Sequence, residues 1–599
     1  MEPKFPWEAW RSFRRRARND ELFLIFLAVV SGCVAAAGVI ALRGLVVLLH
    51  HYLYRVPLEE HALGQAALRW WQPIAILGLG GLAYGLVAQG LRRWRKQEPL
   101  DVIEANAMHG GIMSFLDGVI IALMTVGSVG LGASVGLEAG VTQLGAAASS
   151  WLGQRCKLSR AFLRTLVGCG AAAAIAAAFN APIAGTFYAL ELVIGGYAVT
   201  ALVPVAVAAI TGTLTAHLIF DVDPIYYIVT PPTLNSVDYA LFALLGLAAA
   251  GVGVIVMRAA TTFENLLRAA SIPAWLRPAM GGLLVAGIGY FYPQVLGTGH
   301  GAVDATLKDN APIQLVLMLL AAKALASAVS IGGGFRGGLF SASLLLGGLL
   351  GTAFWSISSH FFPALVAEHS AYAVVGIGAV AAAVVGAPLT MVLLVFEITS
   401  DYTMTVGVAI SVMVATVATR RWFGYSFSTW RFHLRGVGLK GAYDVGRMYE
   451  LTVRRVLDRD VLRVPEAMKL DQLAAEFARS RQPIAFVHKE DDTFVGIVEA
   501  QTANARIAEL GKGSDATAGL LAQPQAHLLT PADRLSTALE VLDEMEQESA
   551  AVVMSPTDPR LVGCVHESDL LRCYIEEADR MRRDELGADG LFAEGGSPG

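Results

Sequence analysis

The sequence predicts an all-α polytopic membrane protein with broken helices in two repeated halves, followed by a polar α/β region. Three observations predict this fold class. Long stretches carry no charge, similar Pro- and Gly-containing segments occur twice in the same order, and the composition changes between residues 437 and 443. We expect a basic segment at 1–20, a membrane region at 21–437, a polar region at 443–579 and a disordered tail at 580–599.

Charge depletion is the first observation. The 599 residues are 55% hydrophobic and only 16% charged, whereas a soluble chain carries about a quarter charged residues. The uncharged stretches are Leu22–Leu42, Val119–Leu137, Thr165–Leu190, Leu192–Phe220, Tyr239–Met257 and Thr403–Thr419. Each approaches or exceeds the roughly 18–20 residues that cross a bilayer as a helix. Since they recur over more than half the chain, buried helices of a soluble protein are the weaker interpretation.

Basic residues near the first apolar stretches predict the orientation. They are Arg11, Arg14, Arg15, Arg16, Arg18, Arg92, Arg93, Arg95 and Lys96. By the positive-inside rule both ends of the first helical hairpin face the cytosol. We therefore expect an integral protein of a bacterial inner (plasma) membrane, with both termini cytosolic and without a cleaved secretory signal. The net charge of −5 gives no indication of nucleic-acid binding.

The second observation is an internal repeat. Ala181-Pro182 and Ala387-Pro388 are each followed at the same interval by a glutamate, Glu191 or Glu397. The segments 136–140 and 338–342 also correspond, and each is followed at equal distance by a glycine. We place the repeats at about 21–230 and 237–437. Chance similarity between Ala-rich helices is the alternative, which two pairs in the same order disfavour. Repeated halves of this kind are typical of transporters and channels.

Interrupted helices at membrane depth predict an anion site. A helix N-terminus that points into the membrane interior presents unpaired N–H groups and the positive end of the helix dipole.

The cysteines show no zinc spacing, and we interpret them as packing residues. They are Cys33, Cys156, Cys169, Cys564 and Cys573. We find no nucleophile–base pair and no metal-ligand set, so we expect neither an enzyme nor a metal site.

Most of the chain resembles the CLC chloride channel and transporter family. That family's Gly-Arg-Glu-Gly-Pro motif is partly matched by residues 136–140, and its Gly-x-Phe-x-Pro motif by residues 338–342, with Ala342 in place of proline. Phe179–Gly185, Val395–Glu397 and Tyr425-Ser426 also match. The resemblance implies inverted repeats, chloride or a similar small anion as substrate, and a homodimer in which each subunit has its own pore.

The resemblance assigns the site residues. Glu138 would be the gate, a carboxylate that competes with the anion and leaves when it is protonated or displaced. Gly338, Leu339, Phe340 and Tyr425 would bind the central anion, and Gly136 and Leu137 an outer one. The alternatives are an interfacial helix-capping role for Glu138 and an interfacial belt role for Tyr425. Glu191 and Glu397 resemble structural glutamates.

Two departures from the family pattern bear on mechanism. The family's Gly-Ser-Gly-Ile-Pro motif corresponds to residues near 97–101, which contain no serine. Many exchangers of the family carry a proton-transferring glutamate directly after the position of Glu191, and this chain has Leu192 there. Glu104 and His109 are candidates to transfer protons in place of that glutamate. We therefore expect channel-like or weakly proton-coupled permeation. Proton-coupled chloride antiport and transport of fluoride or nitrate are the alternatives.

The polar region contains two similar units, at about 443–511 and 515–579, in which short strands alternate with amphipathic helices. It resembles a CBS-domain pair. Asp569 is placed where such pairs hold the ribose of an adenine nucleotide, although dimer packing is the alternative role. No cofactor is required for transport. The alternative function of a different class is a nucleotide sensor whose membrane region serves only as an anchor.

Overall fold

A computed structural model describes residues 21–59, 62–66, 68–95, 100–219, 234–303, 311–363, 365–434, 451–480, 482–510, 515–525, 527–545, 547–555, 557–573 and 576. The N-terminal basic segment, most of the residues near 97 and the tail after residue 580 lie outside these ranges. The chain divides into two compact units, residues 1–444 and 445–599, and each is described by itself.

The first unit is built from helices. They are α1 (Glu21–Tyr54), α2 (Ala62–Gln65), α3 (Trp71–Trp94), α4 (Val102–Met108), α5 (Phe115–Gly130), α6 (Glu138–Cys156), α7 (Arg160–Phe179), α8 (Pro182–Tyr188), α9 (Val199–Ile219), α10 (Ser236–Ala269), α11 (Arg277–Phe291), α12 (Ile313–Gly332), α13 (Phe340–Phe361), α14 (His369–Val385), α15 (Pro388–Thr399), α16 (Tyr402–Trp422) and α17 (Phe427–Leu434). A π-helix, Ala189–Ile194, continues α8, and a 3₁₀ turn, Pro293–Val295, follows α11. Eight helical segments of the described residues are long and apolar enough to cross a membrane.

The helices repeat in order, which confirms the two predicted halves. Helices α5 to α9 correspond to α12 to α16, and α1 and α10 both contain 34 residues. The same break occurs twice. Helix α7 is followed by the capping residue Asn180 and α14 by Gly386, both with positive φ, and an Ala-Pro pair then begins the next helix. Proline suits this place because the first helical N–H has no intrahelical partner.

Small residues bring the long helices together at equivalent places. A Cβ on Gly145 of α6 would lie 2.5 Å from the carbonyl oxygen of Gly170 in α7. In the second half, a Cβ on Gly347 of α13 would lie 2.3 Å from the carbonyl oxygen of Gly376 in α14. Only glycine permits backbones this close, as is common where membrane helices pack. The repeated glycines of the sequence are therefore helix-crossing points.

The second unit alternates strands and helices, as predicted. Its elements are β1 (Leu462–Pro465), α18 (Leu470–Ser480), β2 (Ile484–His488), β3 (Phe494–Glu499), α19 (Ala500–Leu510), α20 (Ala518–Leu521), α21 (Leu535–Glu544), β4 (Ser549–Ser555) and β5 (Asp558–His566), preceded by a 3₁₀ turn, Val453–Arg455. Strand β2 pairs in parallel with β1 and antiparallel with β3. Likewise β4 pairs antiparallel with β5 and bridges Leu529 in parallel. The unit therefore contains the same arrangement twice.

Candidate functional site

Two helix N-termini meet inside the first unit. Helix α6 begins at Glu138 and α13 at Phe340, and the glycines just before them form an antiparallel bridge. The Gly136 N–H donates to the Gly338 carbonyl over 2.8 Å, and the Gly338 N–H donates to the Gly136 carbonyl over 3.3 Å. The first N–H groups of a helix have no intrahelical partner. Both halves therefore contribute a positive helix end to one place.

The carboxylate of Glu138 lies at the beginning of α13. Its Oε1 accepts a hydrogen bond from the Ser341 hydroxyl. The side chain is buried, with 6% of the residue exposed, and its Oε2 has no hydrogen-bond partner in the described part of the chain. A carboxylate without a full set of donors is costly to bury. This position therefore suits a side chain that leaves and returns.

Gly136 provides the space for this carboxylate. A Cβ at position 136 would lie only 2.1 Å from Oε2 of Glu138 and 3.3 Å from the Ser341 backbone nitrogen. The Glu138 side chain thus bends back over residue 136 toward the start of α13. Any larger residue at 136 would compete with it for the same volume.

His300 completes the polar cluster, although the sequence analysis assigned it no role. Its Nε2 lies 3.1 Å from the Ser341 hydroxyl oxygen and 3.8 Å from Oε1 of Glu138. The three side chains come from α6, α13 and the helical turn that begins at His300, so nothing in the local sequence pattern connects them. His300, Ser341 and Glu138 are close enough for a proton to pass along hydrogen bonds.

Aromatic rings line the cluster. The Phe340 ring centroid lies 4.9 Å from that of Phe179 and 6.3 Å from that of Tyr188, and Phe179 lies 6.1 Å from the His300 ring. Phe179 and Tyr188 belong to the broken helices of the first half, whereas Phe340 begins α13 of the second. Both halves therefore contribute apolar ring surface beside the two helix ends.

A buried lysine holds the segment that leads to His300. Lys323 in α12 is fully buried, and its Nζ donates to the carbonyl oxygens of Val295, Gly297 and Thr298 over 3.1, 3.1 and 3.5 Å. Sequence reasoning missed this residue, yet a signal existed, because Lys323 is the one charged side chain in the 20 residues of α12. An ionisable residue at membrane depth marks a functional or structural site by default.

The two glutamates after the Ala-Pro breaks cap each other's repeat. The Glu397 carboxylate of α15 accepts from the Ile183 and Ala184 N–H groups of α8, each over 2.8 Å. The Glu191 carboxylate accepts from the backbone of Leu389 and Thr390 and from the Thr390 hydroxyl over 3.2, 3.0 and 2.8 Å. Each carboxylate satisfies orphan donors and faces a positive helix end.

The remaining candidate residues lie outside the cluster of Glu138, Ser341 and His300. Tyr425 lies before α17 with its ring 5.5 Å from that of Trp430, and its role at the anion stays a prediction. Leu192 is buried in the π-helix. Glu104 is buried in neighbouring α4, whereas His109 ends that helix and is exposed. In the second unit Asp569 lies 4.0 Å from Arg572, and its nucleotide role also stays a prediction.

Sequence comparisons identify relatives of this chain. The model of the voltage gated chloride channel family matches residues 79–420. A putative chloride channel protein ClcB-like of Ralstonia nicotianae is 32% identical over 384 residues, which cover 63% of this chain and 89% of the relative. The voltage-gated ClC-type chloride channel ClcB of Citrobacter koseri is 27% identical over 401 residues, 66% of this chain and 95% of the relative.

Solved structures share the fold. A slow cyanobacterial Cl⁻/H⁺ antiporter aligns with TM-score 0.60 and 20% identity over 69% of this chain and 97% of its own. A eukaryotic CLC transporter aligns with TM-score 0.53 and 17% identity over 91% and 97%. A CLC-type fluoride/proton antiporter aligns with TM-score 0.53 and 21% identity over 67% and 95%. These similarities confirm the architecture of inverted repeats and broken helices.

Proposed function

Because this chain belongs to the voltage-gated chloride channel (CLC) family of membrane transport proteins, we propose that it conducts chloride or a similar small anion through a pore gated by Glu138. Membership of this family confirms the expectation of anion transport rather than enzymatic catalysis. The proposal concerns the gate, the coupling to protons and the ion.

The position of the Glu138 carboxylate at the start of α13 carries the proposal. There the negative side chain occupies the positive end of a helix dipole, which is equivalent to roughly half an elementary charge. An anion bound by the N–H groups of Leu339 and Phe340 would compete for the same field, with the Tyr425 hydroxyl as a further donor. An outer anion would use Gly136 and Leu137. Partial charges bind an anion weakly enough for it to leave.

We favour channel-like or weakly proton-coupled permeation. Leu192 is apolar and cannot carry a proton, and it lies next to Glu191, whose carboxylate is engaged at the start of α15. Protonation of Glu138 would still open the pore, because a neutral side chain no longer competes with the anion. Protons would then control the gate without being exchanged for anions in a fixed ratio.

A proton-coupled antiporter is the second candidate, and His300 favours it. Its Nε2 is within 3.1 Å of the Ser341 hydroxyl, which donates to Glu138. An imidazolium there could give its proton to Ser341 while Ser341 gives its own to Glu138, leaving neutral imidazole and a carboxylic acid. Glu104 remains a candidate for the other end of such a path, since α4 contacts the π-helix through the 2.8 Å bond from Asn106 to the Val193 carbonyl.

A pore for fluoride or nitrate is a third candidate, because residues near 97–101 lack a serine. Asp101, at the end of this stretch, caps α4 by accepting from the Ile103 N–H. Competition between chloride and fluoride or nitrate would distinguish the ions. Further expectations are a homodimer, an inner-membrane location, cytosolic termini and a CBS pair in residues 443–579, for which adenine nucleotide is the ligand to test.

The decisive experiment measures anion flux and external pH together in proteoliposomes that contain the full chain. We expect flux that rises as the pH falls, with few protons moved per anion. Glu138→Gln should be fast and independent of pH, because it mimics the protonated gate. A fixed proton-to-anion ratio would replace the channel proposal with antiport. Unchanged flux in folded Glu138→Gln and Tyr425→Ala proteins would favour the anchored-sensor alternative.

A further inference from the structure

Three side chains of metal-binding type meet beside β5 in the second unit. Asp458, Cys564 and His566 each bring one ligand atom within 4.8 Å of the others. The Cys564 sulfur lies 3.4 Å from His566 Nε2, and this nitrogen lies 3.9 Å from Oδ2 of Asp458. Cys564 and His566 are two residues apart on one strand, so their side chains share a face.

These separations fit a tetrahedral metal. Zinc–ligand distances of about 2.3 Å to sulfur and about 2.0 Å to nitrogen or oxygen place neighbouring ligand atoms about 3.3–3.6 Å apart. The sulfur–nitrogen distance of 3.4 Å already falls in this range. The nitrogen–oxygen distance of 3.9 Å and the sulfur–oxygen distance, which lies within 4.8 Å, would both shorten by a movement of the Asp458 side chain.

The surrounding bonds aim the three ligand atoms at one point. His566 Nδ1 lies 2.7 Å from the Ser549 hydroxyl oxygen, which leaves Nε2 toward the cluster. Oδ1 of Asp458 accepts from the Asp460 N–H over 2.9 Å, which leaves Oδ2 for His566. The backbones of Asp458 and Cys564 exchange two hydrogen bonds of 2.9 Å. Such outer contacts fix the orientation of metal ligands.

The cluster opens onto a cavity of about 500 Å³ with an acidic lining. Besides Asp458 it presents Asp460, Glu548 and Glu567, and none of its described lining residues is Lys or Arg. Cys564 is buried, whereas Asp458 and His566 are half-buried and accessible from the cavity. The charge of the lining favours a cation over a phosphate-bearing ligand.

We propose that Asp458, Cys564 and His566 bind one thiophilic divalent metal ion, Zn²⁺ or an ion of similar chemistry, with its fourth coordination position open to the cavity. Binding through sulfur would release the thiol proton of Cys564 to solvent, because the thiolate is the form that ligates a metal. Sequence spacing did not reveal the site, because Asp458 joins it only through strand pairing.

Cobalt titration of the full-length, tag-free protein in detergent tests the proposal. We expect a single Co²⁺ per chain with a sulfur-to-cobalt charge-transfer band in the near ultraviolet, and its loss on addition of Zn²⁺. Cys564→Ser and His566→Ala should abolish the band. Cys573→Ser is the matched control, since Cys573 is a buried thiol of the same unit outside the cluster, and it should keep the band.

Absence of the band in the wild-type protein, or its persistence in Cys564→Ser, overturns the site and makes the triad a packing cluster. If Cys564→Ser elutes as an aggregate, Asp458→Asn provides the test with almost no change in volume. We expect it to weaken cobalt binding by about tenfold or more. Unchanged affinity in Asp458→Asn would likewise contradict the proposal.

Discussion

The carboxylate of Glu138 fills the space that a side chain at Gly136 would occupy: a Cβ there would lie 2.1 Å from Oε2. The obstacle is the far end of a flexible side chain, and the φ angle of Gly136 is not positive. Alanine at 136 should therefore displace the carboxylate rather than disrupt the backbone. The proposed closed position of Glu138 can therefore be tested directly.

Gly136→Ala should give fast anion flux with weak pH dependence, like a chain without the Glu138 carboxylate. Proteoliposome flux at several pH values measures this. Gly251→Ala is the control, because a Cβ at Gly251 in α10 meets no atom within 4 Å. In a Glu138→Ala background Gly136→Ala should add nothing, since contacting residues are not additive. Wild-type flux in the folded single variant would argue against this position of the carboxylate.

Ser341→Ala should destabilise the proposed closed position of the Glu138 carboxylate. Its hydroxyl donates to the buried Glu138 carboxylate, and a hydrogen bond to a charged group contributes about 1.5–3 kcal/mol. Since 1.4 kcal/mol corresponds to a factor of ten, we expect the open fraction, measured as flux, to rise by about 10- to 100-fold where the gate is mostly closed.

The matched control for Ser341→Ala is Thr352→Val. Thr352 lies in the same helix α13, is buried and donates to the Gly348 carbonyl over 2.9 Å, away from the cluster. It should leave flux and its pH dependence unchanged. Equal effects of the two substitutions would mean that helix stability, rather than the bond to Glu138, sets the rate.

His300→Gln separates the two mechanisms of permeation. If His300 carries protons to Glu138 through Ser341, the variant should lose proton movement while anion flux continues. Glutamine keeps a hydrogen-bonding side chain but does not titrate. Simultaneous chloride and pH recording gives the ratio of protons to anions. His217→Gln is the control, because His217 is exposed near the end of α9 and is not among the candidates for proton transfer. An unchanged ratio in His300→Gln would remove His300 from the proton path.

The sequence predicted the architecture well, because its signals are local. Apolar length, the Ala-Pro pairs and the repeated glycines each report on a single helix or break, and a lone glutamate in an apolar stretch marked Glu138. His300 and Lys323 were missed because their contacts join segments that are far apart in the sequence. Asp458 was missed for the same reason, since contacts between distant segments leave no period in the sequence.

The hydrogen bonds by which Glu191 and Glu397 cap each other's repeat should contribute measurably to the free energy of unfolding. Glu191→Ala removes three hydrogen bonds and leaves donors of buried Thr390 unpaired, whereas Glu397→Ala removes two. An unsatisfied buried donor costs about 1–3 kcal/mol. We therefore expect both variants to lower the free energy of unfolding, Glu191→Ala the more strongly.

Unfolding of the purified protein by increasing SDS in a constant detergent background measures these costs. Glu264→Ala is the control, because the ion pair of Glu264 with Arg268, at 2.5 Å, is exposed and such a pair contributes about 0.3–0.5 kcal/mol. Glu191→Gln should fall between wild type and Glu191→Ala, because the amide oxygen still accepts while the charge is lost. A Glu191→Ala cost no larger than that of Glu264→Ala would mean that water or lipid headgroups satisfy the start of α15 when the carboxylate is gone.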